Sequence, residues 1–158
     1  MPTFSVIIPC YNRAGLIGQT LESVLDGEMQ PDEIIVVDDG STDGSQDEVR
    51  AFGDRVRLIE QENAGPGAAR ANGSEQASSD YLCFLDSDDL WFPWTLRLYR
   101  DLIDQHSHPT ILIGSPFDFT DPAQLAECPP PESGAKVFAD YLSTSGQNIF
   151  ISGSAMVL

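Results

Sequence analysis

FSVIIPCYNRAGLIGQTLESVLDG, residues 4–27, runs an unbroken apolar stretch into a helical pattern, and the join between the two decides the fold. Residues 4–10 are β-branched and compact with no polar alternation, as in a strand buried on both faces. Residues 14–27 put Ile17, Leu21, Val24 and Leu25 on one helical face and stop at Gly27. A two-sided strand followed at once by a helix is half of a βαβ unit.

The rest of the chain repeats the pairing. Apolar runs predict strands at 32–41, 55–61, 81–85 and 109–117. Helices are expected at 45–52, at 66–77 behind Pro66, and at 93–106, where Leu96, Tyr99, Leu102 and Ile103 recur at helical spacing. Five strands separated by helices imply an α/β fold: a Rossmann-like, doubly wound, mostly parallel sheet with helices on both faces. Residues 120–135 read as a loop rich in proline and acid, with Pro129–Pro131 a stiff connector. A short helix is expected at 136–146 and a further strand at 148–158. A domain seldom finishes inside an apolar strand, so the chain is expected to be part of something longer.

At 158 residues the chain has the length of one domain and can bury a sizeable core. Its 25 acidic and 8 basic residues leave a formal charge of −17. That sign argues against nucleic acid and anionic membrane surfaces as direct partners and suits divalent cations. Cys10, Cys83 and Cys128 form no CxxC pair, which fits a reducing compartment, with Cys10 and Cys83 as small buried hydrophobes. No run is long and apolar enough to predict a transmembrane helix, and the N-terminus has no basic segment of the signal-peptide kind.

In such sheets ligands bind beyond the carboxyl ends of the strands, where strand order reverses. Those ends carry Pro9, Cys10, Tyr11, Asn12 and Arg13, then Asp38 and Asp39, then Asn63 to Gly65, and finally Asp86, Ser87, Asp88 and Asp89. The first turn has no GxGxxG and the chain has no GxxxxGK[ST], so a dinucleotide site and a P-loop are both rejected. An EF-hand register from Asp39 reaches Arg50 at its twelfth position, where a glutamate is required. Along an extended segment Asp86 and Asp88 would share one side, fit to hold a hard cation between protein and phosphate. A helix cap near Pro93 would need one aspartate, not three. Tyr11 could stack on a base or simply pack, and Asp39 could accept from a base N–H. Arg70 is as readily a surface ion pair as a pocket residue, and His106 and His108 suit a helix C-terminus better than a metal.

Four segments in register, SVIIPCYNR (5–13), DEIIVVDDGSTD (32–43), ENAGPGAAR (62–70) and YLCFLDSDD (81–89), resemble family-2 glycosyltransferases of the GT-A fold. The resemblance implies an inverting transferase acting on a nucleotide-diphosphate sugar, a UDP-sugar first, with Mg²⁺ or Mn²⁺ as cofactor. It assigns base stacking to Tyr11, a base hydrogen bond to Asp39, nucleotide contacts to Arg70, and ribose and metal contacts to Asp86 and Asp88. Pro9, Asn12, Gly65 and Ser87 complete the expected nucleotide-sugar site. It divides the chain into a donor-binding domain, 1–120, and the start of an acceptor-side region, 121–158. The family's catalytic base is a carboxylate expected downstream of Leu158; Asp118 and Asp121 come too early. The fragment is therefore expected to be inactive alone, its acceptor is open, and its expected place is the cytoplasm or the inner membrane face. A non-catalytic nucleotide-sugar-binding domain and a nucleotidyltransferase of related fold stand as alternatives.

Overall fold

The computed structural model describes residues 1–106, 112–113, 118–130 and 156–157. In chain order the elements are β1 (Phe4–Cys10), α1 (Ile17–Leu25), β2 (Glu33–Asp38), α2 (Ser45–Arg50), a 3-10 turn (Gly53–Arg55), β3 (Arg57–Glu60), α3 (Pro66–Gln76), β4 (Tyr81–Phe84), α4 (Thr95–Gln105), β5 (Leu112–Ile113), α5 (Ala123–Glu127) and β6 (Met156–Val157). They make one sheet in the order β3-β2-β1-β4-β6-β5. β1 lies parallel to β2 and to β4, with Ile7 opposite Ile35 on one side and Phe84 on the other. The chain steps from β1 through β2 to β3, then returns to place β4 on the other flank of β1. That reversal puts the switch point between β1 and β4.

All seven residues of β1 are buried, which explains why its sequence shows no polar alternation. On one face Phe4, Val6, Ile8 and Cys10 pack with Ile17, Leu21 and Val24 of α1 and with Leu96, Tyr99 and Ile103 of α4. Full burial of one such side chain stabilises by about 1.5–3 kcal/mol, so the two helices are held by their apolar stripes. On the other face Ile35 and Val37 pack against Ala69 of α3. There α3 approaches closely through Gly73, where an added Cβ would stand 2.6 Å from Ile7 Cγ2 and 3.2 Å from Val37 Cγ2. Cys10 and Cys83 are each 1 % exposed, in accord with their reading as hydrophobes.

Several elements differ from the sequence expectation. α1 starts at Ile17 rather than residue 14, because the intervening residues form a turn tied to the loop after β2. α4 starts at Thr95, and no side chain caps it, so neither Asp88 nor Asp89 serves as its cap. Its C-terminal cap position is His106, as expected for a residue at that end; His108 lies outside the described residues. The stretch read as loop contains the short helix α5. Only Leu112–Ile113 and Met156–Val157 of the two expected late strands are described, and the helix expected at 136–146 lies outside the described residues. β6 is antiparallel to both β4 and β5, so the sheet is mostly parallel with one reversed insertion.

Candidate functional site: a cleft at the β1–β4 switch point

The turn after β1 is tied down by the loop after β2. Asn12, at φ 51, donates its backbone N–H to Ser41 Oγ at 2.9 Å. Arg13 N–H donates to Ser45 Oγ at 2.8 Å, Ala14 N–H to Asp43 Oδ2 at 2.9 Å and Gly15 N–H to Glu48 Oε1 at 2.7 Å. Hydrogen bonds led by that from the Ser45 hydroxyl hold the Asp43 carboxyl below its ordinary pKa, keeping it a charged acceptor. In dinucleotide folds the N–H groups of this turn and helix start receive a pyrophosphate. In this chain the protein's own oxygens already occupy those of the turn, Asn12 to Gly15, which gives the missing glycine fingerprint a physical counterpart. Asn12 also uses its side chain within this contact, accepting from Thr42 N–H at 2.9 Å, and it does not line the cleft.

The two aspartates after β2 divide the work. Asp38 is 1 % exposed and accepts through Oδ2 from Ser41 N–H at 3.0 Å and Gln46 Nε2 at 2.7 Å, so it shapes its own loop. Asp39, 3 % exposed, reaches across to the turn before α3. Its Oδ1 accepts from Gln61 Nε2 at 2.7 Å and Ala64 N–H at 2.8 Å, and its Oδ2 from Gly65 N–H at 2.8 Å. Burial pushes its pKa up, but the donors from Ala64, Gln61 and Gly65 together outweigh that and bring it below the ordinary value of 3.8. Gly65, at φ +90, has the left-handed backbone that this turn requires.

The aspartates after β4 are arranged otherwise. The strand ends at Phe84, and Asp89 N–H closes a turn on Asp86 O at 3.1 Å. Asp86 and Asp88 thus share the rim through turn geometry, not through the strand alternation expected from sequence. Asp86 Oδ1 accepts from Arg70 Nη2 at 2.5 Å, and this ion pair is about two-thirds buried. Arg70 is thus both of its anticipated alternatives at once: an ion-paired residue and a pocket residue. Asp88 Oδ2 stands 3.2 Å from Arg13 Nε, near enough for an ion pair, but the Nε makes no aligned hydrogen bond. Sequence reasoning gave Arg13 a place on this rim and no role. Ser87 between them is buried.

These groups surround a cleft of about 530 Å³. Pro9 lines it from β1, Tyr11 and Asp39 from just beyond the ends of β1 and β2, Gly65 and Arg70 from the start of α3, and Asp86, Ser87 and Asp88 from the turn after β4. Arg13 and Asn63 also line it. Tyr11 is 47 % exposed at this mouth, so packing alone does not account for its position. Cys10 lies at the cleft floor, where burial, with the nearby Asp38 charge second, pushes its thiol pKa up to about 11. A separate hollow of about 370 Å³, lined by Met1, Pro2, Asp80 and Tyr81, sits at the opposite end of the strands and gathers no comparable set of groups.

Asp86, Ser87 and Asp88 offer oxygen only, the donor type hard divalent cations take. Among the described residues no cluster of three or more His, Cys, Asp and Glu is arranged to hold a metal. Two carboxylates nevertheless suit Mg²⁺ or Mn²⁺, which commonly take the remaining ligands from phosphate and water. Both carboxylates already face a guanidinium, so a metal ion would have to share or displace that partner.

Comparison with known proteins agrees with this geometry. Residues 5–153 match the family described as Glycosyl transferase family 2. Glycosyltransferase GlyA of Streptococcus pneumoniae serotype 4 is 35% identical over 122 residues, covering 74% of this chain and 17% of that protein. The putative teichuronic acid biosynthesis glycosyltransferase TuaG of Bacillus subtilis is 42% identical over 94 residues, 57% of this chain and 37% of its own length. Among solved structures, S. aureus TarS 1-349 in complex with UDP-GlcNAc aligns with TM-score 0.64 at 34% identity, over 70% of this chain and 33% of that one. The Pyrobaculum calidifontis mannosyltransferase PcManGT, in complex with GDP-Man and Mn²⁺, aligns with TM-score 0.57 at 29% identity, over 69% and 33% of the two chains. The chain thus spans well under half the length of these relatives. With a parallel sheet of GT-A type, a cleft at its switch point and a family match along nearly its whole length, this chain belongs to glycosyltransferase family 2.

Proposed function

We propose that the chain is the donor-binding part of an inverting, divalent-metal-dependent glycosyltransferase that takes a nucleotide-diphosphate sugar, a UDP-sugar first. The observation that carries this is the convergence of Tyr11, Asp39, Arg70, Asp86 and Asp88 on one cleft from separate strand ends. Tyr11 offers a half-bare ring for a base to stack on. Asp39, kept ionised by its donors, is a fixed acceptor for a base N–H. Arg70 and Asp86 are positioned as a pair for the ribose and diphosphate side. TarS, a relative of this fold, was solved with UDP-GlcNAc, which favours uridine, whereas PcManGT was solved with GDP-Man.

Mg²⁺ or Mn²⁺ held by Asp86 and Asp88 would supply positive charge against the leaving diphosphate. The chain's own residues bind and orient the donor. We assign the acceptor's general base to none of the carboxylates on this rim. Asp38 and Asp39 are almost fully buried, Asp38 with its Oδ2 bonded within its own loop and Asp39 with both oxygens bonded, and Asp86 and Asp88 face arginines. Asp121 accepts from Ala123 N–H at 2.9 Å in the turn leading into α5. On this proposal residues 1–120 bind the donor, 121–158 begin the acceptor side, and the chain by itself binds a donor without transferring its sugar. A nucleotidyltransferase is disfavoured because the N–H groups after β1 are already bonded by side chains. No helix among the described residues is long and apolar enough to cross a membrane.

Calorimetry of UDP with and without Mn²⁺ tests the proposal. Binding should strengthen with Mn²⁺, and Asp88→Ala should remove about tenfold or more of the metal-dependent gain, the scale on which metal-site groups act. Equal UDP affinity with and without Mn²⁺ in the unaltered chain would overturn it.

A further inference from the structure

If Asp88 is a metal ligand, as proposed above, the cation must compete for it, because Arg13 already faces that carboxylate. The contact is built to be given up. Arg13 Nε lies 3.2 Å from Asp88 Oδ2 without hydrogen-bond alignment, and the two side chains are 40% and 44% exposed. Salt and water weaken a pair of that kind strongly. Beyond it, the guanidinium donates from Nη1 to the carbonyls of its own turn, Tyr11 at 3.4 Å and Asn12 at 3.2 Å. The root of the side chain, by contrast, is fixed. Its backbone N–H is bonded to Ser45 Oγ at 2.8 Å, and the N–H groups on either side are bonded to Ser41 and Asp43. Arg13 is a loosely paired charge on an anchored base, whereas Arg70 is tightly paired and more deeply buried.

We propose that Arg13 is the counter-ion that a divalent cation displaces from Asp88, and that the released guanidinium turns to the donor's diphosphate. This makes Arg13 a positioning residue that couples metal binding to nucleotide binding. Two arginines facing two aspartates leave this part of the rim near charge balance. A cation arriving alone must push Arg13 into solvent and leaves the rim over-positive. A diphosphate arriving alone meets carboxylates already on the rim. Arriving together, the two restore the balance, and the displaced guanidinium has an anion to pair with in bidentate fashion. Metal and nucleotide therefore each raise the other's affinity, and by linkage the factor is the same in both directions.

The test is Mn²⁺ binding to the nucleotide-free 158-residue chain, followed by calorimetry or by electron paramagnetic resonance of the free ion. Arg13→Gln should bind Mn²⁺ alone about tenfold more tightly, the scale expected for removing one nearby positive charge at a half-exposed site. The same variant should bind UDP several-fold more weakly when Mn²⁺ is saturating and nearly as the unaltered chain does in EDTA, so the mutual enhancement between Mn²⁺ and UDP shrinks. Arg13→Lys, which keeps the charge, should exclude Mn²⁺ as the unaltered chain does. Structural damage would weaken both ligands, so a gain in Mn²⁺ affinity separates the coupling role from a merely structural one. Unchanged or weaker Mn²⁺ binding by Arg13→Gln overturns the role of Arg13 while leaving the metal site standing, provided Asp88→Ala still abolishes the Mn²⁺ effect on UDP. If Asp88→Ala keeps that effect, the metal assignment falls, and the role of Arg13 falls with it.

Discussion

Asp39 and Asp88 stand on one cleft, one beyond the end of β2 and the other beyond the end of β4, and they are held in opposite ways. Asp39 is buried and satisfied by three donors from the turn before α3, two of them backbone N–H groups that cannot move without moving the chain. Asp88 is nearly half exposed and faces one guanidinium across a misaligned contact. The first is part of the frame, and a ligand can use it only as it stands. The second is a charge whose partner can be exchanged. On the function proposed, a cleft that recognises a base and also admits and releases a charged diphosphate benefits from one carboxylate of each kind.

The comparison breaks most visibly in stability. Asp39→Ala leaves the Ala64 and Gly65 N–H groups and the Gln61 amide without their acceptor, and urea unfolding should show a loss of about 3 kcal/mol. Asp88→Ala should change the same measurement by less than about 0.5 kcal/mol, as for an exposed ion pair. Similar losses for the two would erase the distinction. Next in size, Tyr11→Ala should weaken UDP binding about tenfold through lost stacking while leaving the urea midpoint in place.

Acid then sharpens the contrast. The Asp39 pKa is depressed in the fold below 3.8, so its contribution to stability is complete above that value and is lost as pH falls through the lower folded value. Asp39→Asn should flatten the acid limb of a stability-pH profile, and Asp88→Asn should leave it as it was. Smallest of all, raising salt should abolish whatever Asp88→Ala costs in stability, a few tenths of a kcal/mol at most, and leave the cost of Asp39→Ala nearly whole.

The sheet was legible because parallel strands covered on both faces must be written as continuous apolar runs, and FSVIIPC and EIIVVD are such runs. The rim was legible for the same reason, since the residues after each run have to meet at one edge. What sequence did not carry was the set of partners across that edge. Nothing in Gln61, Ala64 and Gly65 announces that their donors meet Asp39, because the pairing depends on the spacing of β2 and β3 and on the left-handed backbone at Gly65. The roles of Ser41, Asp43, Ser45 and Glu48 were equally hidden. They read as turn and helix-start residues, yet each holds an N–H group of a turn about thirty positions away. The facing of Asp86 and Asp88 was anticipated on the wrong grounds, since β4 stops two residues short of Asp86. The place of β6 between β4 and β5 could not be read at all, because strand order follows from packing between elements distant in the chain.

The sealed turn after β1 bears on how a spent nucleotide leaves. A cradle of backbone amides is fixed in place: it presents the same donors to a phosphate before and after reaction, and it cannot swing aside without moving the chain. In this chain that cradle is plugged by Ser41, Asp43, Ser45 and Glu48. On the function proposed, the diphosphate has to rely on side-chain guanidinium groups and a dissociable cation. Those can depart or swing aside while the backbone stays still, so turnover need not wait on any motion of the sheet.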